Sequence, residues 1–378
     1  MANKGGLEGI VVADVQTSLV NGVEGKLVYA GYSIEDLAEN ALFEEVVYLL
    51  HHISLPNQDQ LEELRSYIAE NAAIPDFVIE TMKNTPKHTP AMSVVRTATS
   101  MLASFDDDAE NLTDKAVATQ KAFRMIGQVT TICAAWTRIT QGEEPVVPRD
   151  DLTLAQNFIY MLTGEEPDQT AADAINVYLV CLAEHGLNAS TFASRVITAT
   201  GSDMHSAVVG AIGALKGPSH GGANAEAMKM FLEIGEPENV EDWFDTNIKN
   251  GDRRIMGIGH RVYKATDPRA DVLKMHAERL AASSGNTKWF EIASKLADTA
   301  GADDYFIERK LYPNVDYYSA IVLYTLNLDI DMFTPLFVMA RMAGWTAHIV
   351  DQMQGRLIRP TANYVGPMDL KWVPVTER

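Results

Sequence analysis

The segment from Ala171 to Ala183, "AADAINVYLVCLA", carries a helical pattern yet is apolar on most of its faces. Such a helix cannot lie at a surface; it demands a deep core with other elements packed around it. A chain of 378 residues, 47% hydrophobic, is long enough for that core in one large domain or two. The surrounding elements are predicted to be helices as well. Phe43, Val46, Val47 and Leu50 repeat at i, i+3, i+4 and i+7, behind an S-x-x-D start at Ser33 and Asp36. Leu61, Leu64 and Ile68 continue the pattern, with Pro75 as the expected stop. Leu154, Phe158 and Met161 repeat it, closed by Gly164. Strand signals gather in "TSLVNGVEGKLVYAG", where an Asn-Gly turn between β-prone runs predicts a small hairpin. "DDDAEN" (106–111) and "GEEPD" (164–168) read as solvated loops. The expected fold is mainly α, with hinge candidates at the glycine clusters 217–222 and 257–259.

Charge narrows the function. Lys plus Arg total 31 against 51 Asp plus Glu, and a net charge of -20 disfavours nucleic acid as a partner. The apolar stretch "SAIVLYTLNLDIDMFTPLFVMA" is broken by Asp329 and Asp331, so no membrane span is expected. "MANKGGLEGI" lacks an apolar signal core, and the expected location is the cytoplasm. Cys133 and Cys181 lie in apolar stretches and are expected to be buried, reduced thiols. No Cys-x-x-Cys, His-Glu-x-x-His or Walker A motif is present, and no G-x-G-x-x-G follows a strand. No metal or resident cofactor is therefore expected.

Against this acidity, Asp252 to Ala270 carries five cations and two carboxylates, a local +3 around "GIGHRV". Guanidinium groups grip carboxylates, and Lys or Arg bind phosphates, so anionic ligands are expected beside His260. His220, in "LKGPSHGGANAEAMKMF", sits just before a predicted helix, whose N-terminal dipole favours a neutral imidazole. Such an imidazole can donate a hydrogen bond to a developing enolate. His185, in "AEHGLNAST", either caps the helix before it or faces a ligand. Asp316, in "YPNVDYYSA", is either a general base or the N-cap of a helix starting at Tyr317. Arg341 lies inside "FVMARMAGWTAHIVDQ" and needs an acidic or ligand partner; Arg359 in "RLIRP" is a weaker candidate.

Five stretches in order, "AEHGLNAST", "GALKGPSHGGANAEAM", "IMGIGHRVYKATDPRA", "YPNVDYYSA" and "MFTPLFVMARMAGWTAHIVDQ", resemble the citrate synthase family. The likeness runs from about Gly5 to Pro374. It implies a two-domain, nearly all-α homodimer. Residues 1–219 with 326–378 would form the large domain and 220–325 an inserted small one, with the active site in the cleft between them. It implies an acyltransferase that condenses acetyl-CoA, a substrate rather than a cofactor, with oxaloacetate and hydrolyses citryl-CoA. By resemblance Asp316 is the base, His220 holds the enolate, and His260 polarises and protonates the ketone. His185, Arg269 and Arg341 hold carboxylates, and Arg359 reaches into the partner subunit's site. Arg254, Ile255, Met256, Gly257, Arg261, Lys264, Arg309 and Lys310 lie where the family binds CoA. Three positions depart from the family pattern: Ser219 where leucine is common, Gly186 where a bulkier residue is usual, and an extra residue in "KHTPAM". Gly186 is expected to loosen the setting of His185. Two other readings remain: a 2-methylcitrate synthase using propionyl-CoA, and an inactive anion-binding helical dimer.

Overall fold

The computed structural model describes residues 6, 7, 9–111 and 113–378. Strands β1 (Ser18–Asn21) and β2 (Lys26–Tyr29) pair antiparallel with Ser18 opposite Tyr29, and β3 (Tyr32–Ser33) joins the other edge of β2. The hairpin stands where its sequence signal lies, but the turn is longer than an Asn-Gly pair. Gly22 to Gly25 form it, and Asn21 Oδ1 accepts from the N–H groups of Val23 and Glu24, each at 3.2 Å.

Helices follow. Ser33 caps α1 (Ile34–Asn40) by accepting from the Asp36 N–H at 3.1 Å. Next come α2 (Phe43–His52), α3 (Gln58–Glu70), α4 (Asp76–Lys83) and α5 (Ala91–Leu102). Pro75 is the N-cap of α4 rather than the stop of α3, which ends at Glu70 with Asn71 as its C-cap; a ring-fixed φ suits a helix start. The long α6 (Lys115–Gln141) is buried along most of its length. Asp106, in a loop expected to be solvated, is instead drawn down onto it: the side chain is 5% exposed and pairs with Arg124 at 2.6 Å. Then come α7 (Leu154–Thr163), closed by Gly164, and α8 (Gln169–Leu182), α9 (Ala189–Thr198) and α10 (Met204–Leu215).

A second group comprises α11 (Ala223–Ile234), α12 (Val240–Phe244), α13 (Pro268–Ser284), α14 (Lys288–Gly301), α15 (Asp304–Arg309) and α16 (Val315–Thr325). In it α16 packs on α11, α13 and α14. Finally α17 (Phe333–Gln352) returns to pack on α6, α8 and α9. Cys133 and Cys181 are buried and unpaired. Among the described residues no helix is long and apolar enough to cross a membrane.

The apolar helix of the opening is α8, and it touches both groups, including α13, α16 and α17. From Val177 to Glu184 every residue is buried, so α8 ends inside the protein. A helix end leaves its last carbonyls without intrahelical partners, and burial makes each one costly. Here distant groups meet them. The Tyr29 hydroxyl lies 2.8 Å from Glu184 O and 3.3 Å from Cys181 O. Arg341 Nε donates to Leu182 O at 2.7 Å, and the Gly344 N–H to Ala183 O at 3.1 Å. A side chain at 344 would overlap Ala183 O and the Glu184 carboxylate, so α17 needs glycine there.

Tyr29→Phe keeps the ring and strands buried carbonyls. Urea unfolding should show a loss of about 1–3 kcal/mol; an unchanged midpoint at unchanged slope would show that these carbonyls find other partners.

Candidate active site

The buried end of α8 delivers the first site residue. His185 follows it directly but does not cap its own helix: its Nε2 lies 3.1 Å from the Tyr263 hydroxyl. The turn after it is held tightly. Gly186 sits at φ 61, with its N–H directed at Glu184 Oε1 (2.7 Å) and Ser18 Oγ (3.1 Å). The Gly186 backbone thus ties the turn after His185 to Glu184 and to the hairpin.

His260 comes from the opposite side on a glycine-flanked loop. Gly257 and Gly259 adopt φ of 79° and 88°, and a Cβ at Gly257 would lie 2.9 Å from Tyr317 Cα. The loop is stitched to the start of α16: Gly259 N–H donates to Tyr312 O at 2.7 Å, Asn314 N–H to Gly257 O at 2.8 Å, and Asn314 Nδ2 to Gly259 O at 2.7 Å. The His185 and His260 rings meet edge to face with centroids 5.6 Å apart. The N–H groups of Val262 and Tyr263 point at His260 Nδ1 from 3.0 and 3.1 Å. That nitrogen accepts, so the network assigns the proton of the neutral ring to Nε2.

Asn314, not Asp316, is the N-cap of α16, which starts at Val315. Asp316 therefore lies inside the first turn, and its carboxylate accepts no hydrogen bond from the described residues. It is partly open, yet protein surrounds it closely enough that burial pushes its carboxyl up to about 6, with Arg269 opposing the shift. His220 lies before α11, whose N-cap Gly222 sits at φ 100. Its Nε2 faces the Ser190 N–H at 3.3 Å and Ser190 Oγ at 2.8 Å, and Trp345 Nε1 donates to that Oγ at 3.1 Å. Nε2 accepts here, so the proton is assigned to Nδ1.

The electrostatics keep the imidazoles neutral and the arginines charged. Burial lowers His220 and His260 each to about 4, aided by Arg341 for the first and Arg269 for the second. Burial and the same two arginines take His185 well below its usual value. Arg269 and Asp267 form a buried two-point pair, Nε to Oδ1 at 2.9 Å and one terminal nitrogen to Oδ2 at 2.8 Å. Burial opposes both charges, but their mutual attraction prevails: Arg269 is raised and Asp267 lowered. Asp267 Oδ2 also accepts the Val315 N–H at 3.2 Å, tying the start of α16 to that of α13. Arg341 is different. It is 2% exposed, lies over the Phe337 ring, and has no carboxylate within ion-pair distance among the described residues. Burial depresses its guanidinium below the usual value, Glu184 works against the shift, and Arg269 adds to it. The arrangement suits an anionic ligand.

A cleft of about 850 Å³ opens beside His260, lined by Arg253, Arg254, Ile255, Arg261 and Arg309. Arg253 is already engaged by Glu233 at 2.6 Å. Met256 lines a second cleft, with His220 and Ser219. Gly257 serves the close approach to Tyr317. Lys264 and Lys310 do not line the basic cleft; Lys310 ends α15 in a left-handed conformation at φ 52. Arg359 lies exposed on the C-terminal segment and does not line either cleft.

The family profile described as "Citrate synthase, C-terminal domain" matches residues 6–361. "Citrate synthase 2" of Bacillus subtilis is 46% identical over 99% of this chain and 98% of its own length. The citrate synthase of Haloferax volcanii is 40% identical over 99% of both. The chain belongs to the citrate synthase family. Among solved structures, the ternary complex of a Thermoplasma acidophilum citrate synthase with carboxymethyl coenzyme A and oxaloacetate superposes with a TM-score of 0.91. It is 35% identical and covers 98% of each chain.

In this citrate synthase family chain several site groups lie within the quoted motifs without having been singled out by the sequence. Asp267 shows a local signal, an acid directly before Pro268 at a helix start. Tyr263, Ser190 and Glu184 show none, because their partners lie far away in sequence.

Asp267→Asn should cost about 3–5 kcal/mol in urea unfolding at pH 7, since it leaves Arg269 buried without its partner. A depressed carboxylate contributes stability above its unfolded value, about 3.9, and loses it as pH falls through the folded value. The gap between the variant and the parent protein should therefore narrow below about pH 4; a gap independent of pH would contradict the charged pair.

Proposed function

We propose that the chain is a citrate synthase that joins the acetyl group of acetyl-CoA to oxaloacetate and then hydrolyses the citryl thioester. What carries this reading is a set of groups near Arg269 and Arg341: an unbonded carboxylate pushed up to about 6, two neutral imidazoles with protons assigned to chosen nitrogens, and, in Arg341 itself, a buried arginine with no acidic partner among the described residues.

Asp316 removes a proton from the thioester methyl, and its raised value makes it a stronger base than an ordinary carboxylate. His220 Nδ1–H donates to the thioester oxygen as it gains enolate character. His260 Nε2–H donates to the oxaloacetate ketone, the nucleophilic carbon attacks, and the new alkoxide takes a proton from His260. Water then cleaves the thioester and releases CoA thiol. Arg341, His185 and the free edge of Arg269 hold the substrate carboxylates. Arg254, Ile255, Arg261 and Arg309 take the CoA end, with Met256 beside His220; Lys264 and Lys310 act only as peripheral charge. The proposed cycle calls on no resident cofactor or metal, with acetyl-CoA entering as a substrate.

We place the domain boundaries at 219/220 and 325/326, a division supported by the packing of α11 to α16 on one another. A homodimer is part of the proposal. Leu357, Tyr364, Leu370 and Trp372 stand exposed along the C-terminal segment, and such apolar surface suits a second copy of the chain. Arg359 on that segment would then complete the partner's site. Two buried thiols support a reducing, cytoplasmic setting.

The direct test is thiol release with oxaloacetate plus acetyl-CoA or propionyl-CoA. The reading predicts higher kcat/KM with acetyl-CoA. A preference for propionyl-CoA would make it a 2-methylcitrate synthase, and no release from a folded dimer would favour the inactive binder. With acetyl-CoA, kcat/KM should fall below about pH 6 as Asp316 takes up its proton, and Asp316→Asn should lose at least about 10²–10⁴-fold. A flat profile, or near-normal turnover, would remove Asp316 as the base.

Mixed dimers test Arg359. Asp316→Asn and Arg359→Ala subunits, each nearly inactive alone, should regain activity when mixed, because one of the two shared sites is then intact. No recovery would mean that Arg359 serves its own chain.

A further inference from the structure

The β1–β2 hairpin spans the two sides of the histidine pocket. Its root is fixed at the end of α8, where Ser18 Oγ donates to Glu184 Oε1 at 2.9 Å beside the Gly186 turn. Its tip rests on the loop that carries His260. Gly22 O accepts the Lys264 N–H at 2.7 Å. A Cβ at Gly22 would lie 2.6 Å from the Val262 carbonyl carbon and overlap its oxygen, and one at Gly25 would lie 2.8 Å from Thr266 O. Two backbones meet here at a distance that only glycine permits.

The Val262 carbonyl under Gly22 shares its peptide unit with the Tyr263 N–H. That unit is planar and stiff, so a push on the oxygen tilts the N–H. The same Tyr263 N–H points at His260 Nδ1 from 3.1 Å, next to the Val262 N–H at 3.0 Å. These two donors are what keep the His260 proton on Nε2. The hairpin tip thus bears on the catalytic histidine through a single rigid peptide.

We propose that Gly22 is a positioning residue for the condensation: by admitting the Val262 carbonyl beneath the hairpin tip, it holds the peptide that fixes His260 in its Nε2–H form. The proposal rests on the reading of His260 as the donor to the oxaloacetate ketone. It assigns a role to the hairpin beyond that of a small N-terminal sheet.

The test is Gly22→Ala, with Gly213→Ala as control, since a methyl group at Gly213 meets open space. Gly22 is not in the left-handed region, so alanine is free of local backbone strain and the clash lies wholly with Val262. Gly22→Ala should lower kcat by about tenfold or more, as expected when an oxyanion donor is misplaced, with KM for acetyl-CoA within about twofold of the parent value. Nitrogen-15 spectra should show the His260 ring changing from one Nε2–H tautomer to a mixture, while Gly213→Ala stays like the parent protein. A parent-like kcat, or a lost kcat with the His260 tautomer unchanged, would overturn the proposal. Hydrogen exchange on the unsubstituted protein gives a second reading that needs no variant: the Lys264 amide should be among the protected amides of the loop, and rapid exchange there would also overturn it. If the unsubstituted protein releases no CoA thiol, the condensation reading fails, and the His260 tautomer in the two variants still decides whether Gly22 positions the ring.

Discussion

The fold depends on a helix that ends in the middle of the protein. An interior helix end is costly unless each exposed carbonyl finds a donor. At α8 the donors come from the N-terminal hairpin (Tyr29) and from α17 (Arg341 and the Gly344 N–H). Meeting this one requirement brings together three segments separated by more than a hundred residues each. It also delivers His185 to the depth where an ion can be held out of water.

The same requirement explains the charge pattern. Arg341 donates its Nε to Leu182 O, which fixes the side chain, and the rest of its guanidinium meets no carboxylate among the described residues. Arg269 is tied by Asp267 instead, so the two neighbouring cations are not equivalent. One is paired within the protein, and the other has no acidic partner among the described residues. Their shared field, with burial, holds His185, His220 and His260 neutral. A neutral imidazole donates a hydrogen bond without committing a full charge to the pocket, which suits stabilisation of an oxyanion. Asp316, in the same field, is raised because its enclosure outweighs the nearby arginines.

Local physics made much of this legible in the sequence. The helical stripe at Phe43 to Leu50, the Ser33 cap, the Gly164 stop and the largely apolar α8 follow from period and capping alone. The histidine and arginine motifs point to anion chemistry because cations cluster in an acidic chain, and their separate roles come from family resemblance. What escaped was set by distance in sequence or by competition between adjacent signals. Asn314 outcompeted Asp316 for the cap of α16, which left the carboxylate free. Pro75 caps the next helix because the preceding one had already ended at Glu70. Asp106 left solvent because Arg124, a full loop away, drew it in. No local pattern could reveal that Ser18 meets Glu184, or that Gly22 lies against Val262.

The central claim is that Arg341 and His260 converge on one small dianion. Crystals grown with oxaloacetate and without any CoA species test it most directly. The account predicts a substrate carboxylate on the free edge of Arg341, with the ketone oxygen about 2.8–3.0 Å from His260 Nε2. Oxaloacetate bound away from Arg341, or with its ketone turned from His260, would contradict it.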